Sequence, residues 1–256
     1  VPDTGIPDTN GICPDIGIYE MPGHSETPTP DLRALDVVAT ADLTVGESCA
    51  LEWKVANAGD ADAQGTWRNT VLFYSETGRR VEAGEELSHA TIRPGETNVF
   101  TASVLTPPLA DGPWFAAIHV NSFRDVYEGA ATTNNIAIAA IASRVAVPTF
   151  DVAGGSGVHV PAGGSTAVRL AGLSAGGNVV VFRAAGDLSI YGASGRTPSA
   201  TSFEWEAVRL ADGVWMLAIP ADADSASVYV TFVNEQNAER AVLAEQTDGS
   251  FYLFDP

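Results

Sequence analysis

Val55 to Gly78 reads VANAGDADAQGTWRNTVLFYSETG. Strand-like runs stand at both ends, and between them Asn57-Ala58-Gly59-Asp60 gathers residues that accept positive φ or bond their own backbone, which is turn chemistry. Just upstream, Leu51, Trp53 and Val55 share one strand parity while Glu52 and Lys54 take the other. Downstream, Trp67, Val71 and Phe73 align in the same way. A period of two on both sides of a turn predicts half-buried strands with their Trp residues in a core.

Working outward, strand-like runs recur at Ala34–Thr40, Ser48–Asn57, Trp67–Ser75, Leu87–Ile92, Thr97–Val104, Pro113–Asn121 and Asn135–Ala142. Seven short strands in about 110 residues is the count of an immunoglobulin-like sandwich. Trp114 shares parity with Ala116, Ile118 and Val120 and is expected in the core. After Val147-Pro148 the runs resume at Val158–Val160, Ser165–Leu173, Asn178–Arg183, Leu188–Tyr191, Phe203–Leu210, Val214–Ile219, Ala226–Val233, Ala241–Glu245 and Ser250–Phe254, with Trp205 and Trp215 at core parity. The predicted class is all-β: two consecutive β-sandwich domains, immunoglobulin-like over 31–147 and jelly-roll-like over 148–256, behind an irregular tail and linker of residues 1–30. The 256 residues suffice for two cores.

Thirteen basic residues face thirty-two acidic ones, a formal net charge of -19. Phosphate backbones are bound by concentrated cationic surface, so a nucleic-acid partner is excluded on charge. No run reaches the ~18 apolar residues of a membrane helix, so membrane insertion is not expected. No signal peptide opens the chain, and Val1 reads as the start of a mature form or of an excised fragment. The expected species is a secreted or cell-surface monomer whose acidity keeps it soluble.

Cys13, in the turn-rich tail, and Cys49, inside a strand-like run, are the only cysteines. Bonded, they would staple tail to domain and stabilise by roughly 3 to 4 kcal/mol; unbonded, one of them is a buried thiol.

Several segments resemble known families. PDLRALDVVAT at Pro30, LEWKVANAGDADAQGTWRNTVLFYSETG at Leu51, IRPGET at Ile92, DGPWFAAIHVN at Asp111 and VYEGAATTNN at Val126 follow, in order, the pattern of bacterial CARDB domains, named for cell adhesion. That resemblance implies a seven-stranded sandwich and a spacer, adhesion or ligand-binding role, with no catalytic set to transfer. HVPAGGSTAVRLAG, GDLSIYGASGRTPSATSFEWEA and GVWMLAIPADADSASVYVTF resemble the bacterial pre-peptidase C-terminal (PPC) domain, which accompanies secreted enzymes. DTGIPDTNG followed by PDIGIYE resembles the closing segment of bacterial right-handed β-helix proteins and implies a pectate-lyase-like domain before Val1.

The face of the Pro113 strand opposite Trp114 carries Phe115, Ala117, His119 and Asn121, beside Tyr74 and Tyr127. Tyr74, Phe115, His119 and Tyr127 are the candidate ligand-binding residues, set against the alternative of a sandwich face with no ligand. Ca²⁺ is the one cofactor the acids suggest. Asp3, Asp8, Asn10 and Asp15 offer oxygen ligands without EF-hand spacing; Asp125 and Glu128 with Asn134 offer a second set, although Asn134-Asn135 also reads as a structural turn. Asp187, with Asp222 and Asp224, matches the acidic strand of the PPC resemblance but lacks the further acids of a calcium site. Solvated loop acids are the favoured reading of the tail set and of the Asp187 set, and a structural turn that of the Asp125, Glu128 and Asn134 set.

His24, His89, His119 and His159 have no metal-ligand spacing, and no nucleophile elbow, Walker loop or dinucleotide fingerprint is present. The expected function is a non-catalytic extracellular binding or adhesion module, the accessory part of a larger protein, whose partner is a polysaccharide or another extracellular protein. The alternative is a structural spacer presenting an upstream β-helix enzyme of the polysaccharide-lyase kind.

Overall fold

The computed structural model describes residues 27–129, 131, 133–153, 157–236 and 240–247, and every regular element among them is a strand. The chain first forms β1 (Leu32–Ala39), β2 (Asp42–Thr44), β3 (Ser48–Asn57), β4 (Ala63–Ser75), β5 (Arg80–Ile92), β6 (Thr97–Leu105), β7 (Gly112–His119), β8 (Ile136–Ile138) and β9 (Ser143–Ala146). One sheet has the order β1-β3-β6; the facing sheet runs β2-β9-β7-β4-β5, with β8 paired to β7.

Strand alternation decides what lies between these sheets. Leu51, Trp53 and Val55 of β3, Trp67, Val71 and Phe73 of β4, and Trp114, Ala116 and Ile118 of β7 are buried together, as their parity predicts. Phe100 joins the sheets, stacked on Trp53 and edge-on to Trp67, each with centroids 6.0 Å apart. The indole N–H groups of Trp53 and Trp67 have no partner, so these rings stabilise the sandwich through apolar area and contact alone. Burying a side chain of this kind contributes about 1.5–3 kcal/mol.

The anticipated turn at Asn57 has a second job. Asn57 Oδ1 accepts from Asp31 N and Gly59 N, while Ala58 N donates to Asp31 O and Asp60 N to Thr29 O. The chain entering the domain is thereby laid against the turn. A Cβ on Gly59 would collide with Thr29 O and with the backbone of Pro30 and Asp31, so only glycine permits that approach.

β4 and β5 are each 13 residues long and extend well beyond the expected Trp67–Ser75 and Leu87–Ile92. Their ends pair with each other, Ala63 with Ile92 through Tyr74 with Arg80, and Arg80, Glu82, Glu85 and Glu86 disguise an edge strand as a loop. The expected Asn135–Ala142 strand shortens to β8, and the parallel pair β2 and β9 has no counterpart among the predicted runs.

The chain continues through β10 (Thr149–Asp151), β11 (Gly157–Val160), β12 (Ser165–Ala171), β13 (Asn178–Ala184), β14 (Ser189–Ser194), β15 (Trp205–Glu206), β16 (Val208–Ala211), β17 (Val214–Ile219), β18 (Val228–Val233) and β19 (Arg240–Thr247). Two five-stranded sheets, β10-β12-β18-β14-β15 and β11-β19-β13-β17-β16, enclose a core of Phe150, Phe182, Ile190, Trp215, Leu217, Val230 and Phe232. Phe182 and Phe232 meet edge-on at 5.2 Å. Trp205 departs from expectation: it is only half-buried, on the two-residue edge strand β15, where its ring lies over Gly192. The anticipated Ser250–Phe254 strand lies outside the described residues.

The two sandwiches meet through Asp111. Its Oδ1 accepts from Val147 N at 2.8 Å and its Oδ2 from the Tyr229 hydroxyl at 2.9 Å. Ala167 and Tyr229, from β12 and β18, pack against the first core. Gly46, at φ +86°, comes so near that an added Cβ would stand 2.6 Å from Thr166 Oγ1.

Candidate functional site

The antiparallel register of β4 and β7 sets Tyr74 opposite Phe115 and Thr70 opposite His119, so three of the four proposed ligand residues do share a face. Across β5 and β8 the same rows bring Arg80 beside Tyr74, Glu82 beside Leu72, Ile138 beside Ala117 and Ile136 beside His119. This face is not a bare aromatic platform. Leu72 and Ala117 lie at its centre, outside the main core, yet are fully buried beneath their neighbours, and Tyr74, Phe115 and His119 are half-buried. His119 is held below the ordinary histidine pKa, chiefly by burial and secondly by the Arg80 guanidinium, so its ring is neutral at neutral pH. Tyr127 is 77% exposed, in the loop that follows β7. Asn121, expected on this face, is instead buried at the end of the strand with φ 51°.

That loop explains the acids proposed as metal ligands. Asp125 accepts from Arg68 N, Nε and Nη2, and the Arg68 guanidinium holds its carboxyl below the usual range while stacking over Phe123 at 4.0 Å. Glu128 is buried; its Oε2 accepts from Leu32 N at 2.6 Å and its Oε1 from Asn121 Nδ2 and Asn135 Nδ2. Asn134 Nδ2 donates to Asp31 Oδ1 at 2.7 Å. Asp125 and Glu128 thus serve separate networks that close the 120–135 loop onto the sheet. Asp187 pairs with Arg209 at 2.8 Å, Asp224 caps the turn at Ala226 and Ser227, and Asp222 is exposed. Among the described residues no group of three His, Cys, Asp or Glu side chains could hold a metal. Asp3, Asp8, Asn10 and Asp15 lie outside the described residues.

Cys49 is a free thiol, fully buried in the first core, and burial raises its pKa. Cys13, its anticipated partner, lies outside the described residues.

A feature that the sequence reading missed lies between the sandwiches. A cleft of about 710 Å³ is lined on one side by Arg79, Arg80, Glu82, Pro107 and Pro108. The other side presents Ser165, Arg196, Thr231, Val233 and the 198–202 loop. Ser165 and Val233 are cross-strand partners on β12 and β18, while Pro107 and Pro108 follow β6. The 198–202 loop is stiffened by reciprocal backbone bonds between Ser199 and Ser202 and by Arg196 Nη1, which donates to Ser202 O at 2.9 Å and to Ser202 Oγ at 3.1 Å. Arg196 also stands 3.8 Å from Glu204. Among the described residues no carboxylate comes within ion-pair distance of Arg79 or Arg80. Three of the chain's thirteen cations therefore converge on one cleft, two of them without a counter-charge. Hydroxyls, guanidinium groups and proline rings together can bind a polar ligand in an open groove.

No family model matches the chain, and no curated protein does. Solved structures with a similar backbone include the CARDB domain of a Pyrococcus furiosus protein in complex with di-metal ions, at 19% identity and a TM-score of 0.34, covering 46% of this chain and 94% of that one. The C-terminal domain of Wzt aligns at 13% identity and a TM-score of 0.30, over 49% of this chain and 82% of that one. β-Glucosidase 3B from Thermotoga neapolitana, in complex with α-D-glucose, aligns at 12% identity and a TM-score of 0.30 over 44% of this chain and 16% of that one. At these values the similarities assign this chain neither a family nor a ligand.

Proposed function

We propose that this chain is a non-catalytic extracellular binding module, a CARDB-type sandwich followed by a PPC-like one, and that it binds carbohydrate as the accessory part of a larger secreted or surface protein. The five ordered segments from Pro30 to Asn135 support the first domain's type, and that family offers no catalytic set. The observation that carries the reading is the cleft between the sandwiches. Its hydroxyl-bearing loop, guanidinium groups and proline faces suit the mixed polar and C–H surface of a sugar ring. Binding to an array of plant and algal polysaccharides, with Ca²⁺ and with EDTA, tests it. Retention of none of these glycans under either condition refutes it.

A second reading, a spacer that presents an upstream β-helix enzyme, draws on the DTGIPDTNG and PDIGIYE segments of the tail. β-Helix repeats encoded upstream of Val1 are its expected signature, and their absence there removes it.

A further inference from the structure

The cleft's charge is out of keeping with the molecule around it. Acids outnumber bases by 32 to 13, and about half of the described cations have a carboxylate partner. Arg33, Lys54, Arg68, Arg93, Arg196 and Arg209 do, whereas Arg124, Arg144 and Arg169 make no ion pair among the described residues. Arg79 and Arg80 likewise make none, and unlike those three they adjoin each other in sequence and line one cleft, together with Arg196 and Glu82. Three arginines against the single carboxylate of Glu82 give the cleft lining a positive balance within a molecule of net charge −19.

We infer that the cleft accepts the carboxylates of an acidic glycan, with Arg79 and Arg80 as the groups that grip them; this deepens the carbohydrate reading above and rests on it. A planar guanidinium presents paired N–H donors that match the two oxygens of a carboxylate, a geometry that a lysine does not reproduce. Arg196 acts differently. Its Nη1 is committed to Ser202, so it is a positioning residue that holds the Ser199–Ser202 loop toward the cleft while adding fixed positive charge at the wall. Ser165, Ser199, Thr201 and Ser202 supply hydroxyls of the kind that pair with sugar hydroxyls. Pro107 and Pro108 offer apolar faces to the C–H side of a ring.

A densely charged polymer fits the molecule less well. Nucleic acid carries a charge at every phosphate and would meet the acidic surface beyond the cleft. A uronate chain carries one carboxylate per ring and intervening neutral hydroxyls, which suits a pair of cations set among hydroxyls. The same carboxylate chemistry could come from an acidic peptide or from a free uronic acid, and the test separates these sources.

The experiment is titration calorimetry on the full chain in EDTA at low ionic strength. The probes are polygalacturonate, monomeric galacturonate, neutral laminarin and poly-glutamate, and the proteins are wild type, R79A/R80A and the control R93A. Arg93 is exposed, pairs with Glu96 and lies outside the cleft lining. The expected result is polygalacturonate binding at least tenfold tighter than laminarin and than the monomer. R79A/R80A should weaken it at least tenfold and flatten its salt dependence, with R93A unchanged and all three proteins melting alike. Undiminished binding by R79A/R80A overturns the inference, as does laminarin or poly-glutamate binding as tightly as polygalacturonate. Laminarin bound while polygalacturonate is not would leave the carbohydrate reading standing and remove this one; binding of neither removes this one, and the glycan array then decides the carbohydrate reading.

Discussion

Replacing Glu128 tests the account of the first domain most directly. Glu128 is 3% exposed and makes no ion pair among the described residues; three donors hold its carboxylate instead, Leu32 N on Oε2 and the Asn121 and Asn135 side-chain amides on Oε1. Glu128→Ala leaves Leu32 N without a partner and opens a hole, while Asn121 keeps Val126 O and Asn135 keeps Val120 O. Losing a charge-assisted bond and filling no space sums to about 3–5 kcal/mol at neutral pH. Glu128→Gln conserves volume, but both carboxylate oxygens are acceptors, so the new NH₂ must confront a donor at a cost of about 1–3 kcal/mol.

The pH dependence separates charge from shape. Burial, aided by the nearby Asp31, raises the Glu128 pKa above its ordinary value of 4.5, against the opposing pull of its three donors. A raised folded-state pKa means that the native state binds the proton more tightly. The stability it brings is therefore complete below the unfolded value, near that ordinary 4.5, and is lost as pH rises through the folded one. Gln does not titrate, so the stability of wild type minus that of Glu128→Gln should fall as pH rises from about 4 through the folded value, while other groups cancel in the difference. Urea unfolding followed by Trp fluorescence across pH 4 to 7.5 measures it. A Glu128→Ala variant within 1 kcal/mol of wild type, or wild-type and Glu128→Gln curves that stay parallel throughout, would refute the reasoning.

Gly59→Ala should destabilise the first sandwich by about 1–3 kcal/mol, since its Cβ would enter the backbone at Thr29 and Asp31; a melting temperature equal to wild type contradicts that. Tyr229→Phe removes the bond to Asp111 that links the sandwiches, at about 1 kcal/mol, and should make their unfolding transitions separate in calorimetry, where wild-type cooperativity would show the link to be immaterial. Cys49 should resist thiol reagents in buffer and react in urea, because it is buried and free; failure to react in urea without reductant would reveal a bridge to Cys13.

Much of the fold was legible because a strand buried on one face writes its burial into alternate residues. Trp53, Trp67, Trp114 and Trp215 followed that rule into the cores. Trp205 obeyed the parity but not the burial, since alternation reports which way a side chain points and not whether its strand is central or at an edge. β5 was half missed for the complementary reason: an edge strand of alternating charges pairs through its backbone, which carries no sequence signature. β2 and β9 are short and parallel, and their pairing is fixed by the sandwich rather than by their own residues.

The cleft was harder to read for a physical reason that also bears on its function. Its walls come from residues 79–82, 107–108, 165, 196, 198–202, 231 and 233, distant stretches that meet where Asp111, Tyr229 and Ala167 join one sandwich to the other. No local pattern encodes such a meeting. One signal was present all the same: Arg79-Arg80 is the only pair of adjacent basic residues in the chain, and it sits at a hairpin end where any of 32 acids might have been placed beside it. Cations that converge on one cleft are informative in an acid-rich molecule, where scattered carboxylates are the rule. The same logic discounts the acids: Asp125 and Glu128 drew notice as a calcium set, yet each is accounted for by donors that shape the 120–135 loop. In a molecule of this charge, cations gathered on one cleft point to a ligand more specifically than the abundant carboxylates do, and Arg79, Arg80 and Arg196 are gathered in that way.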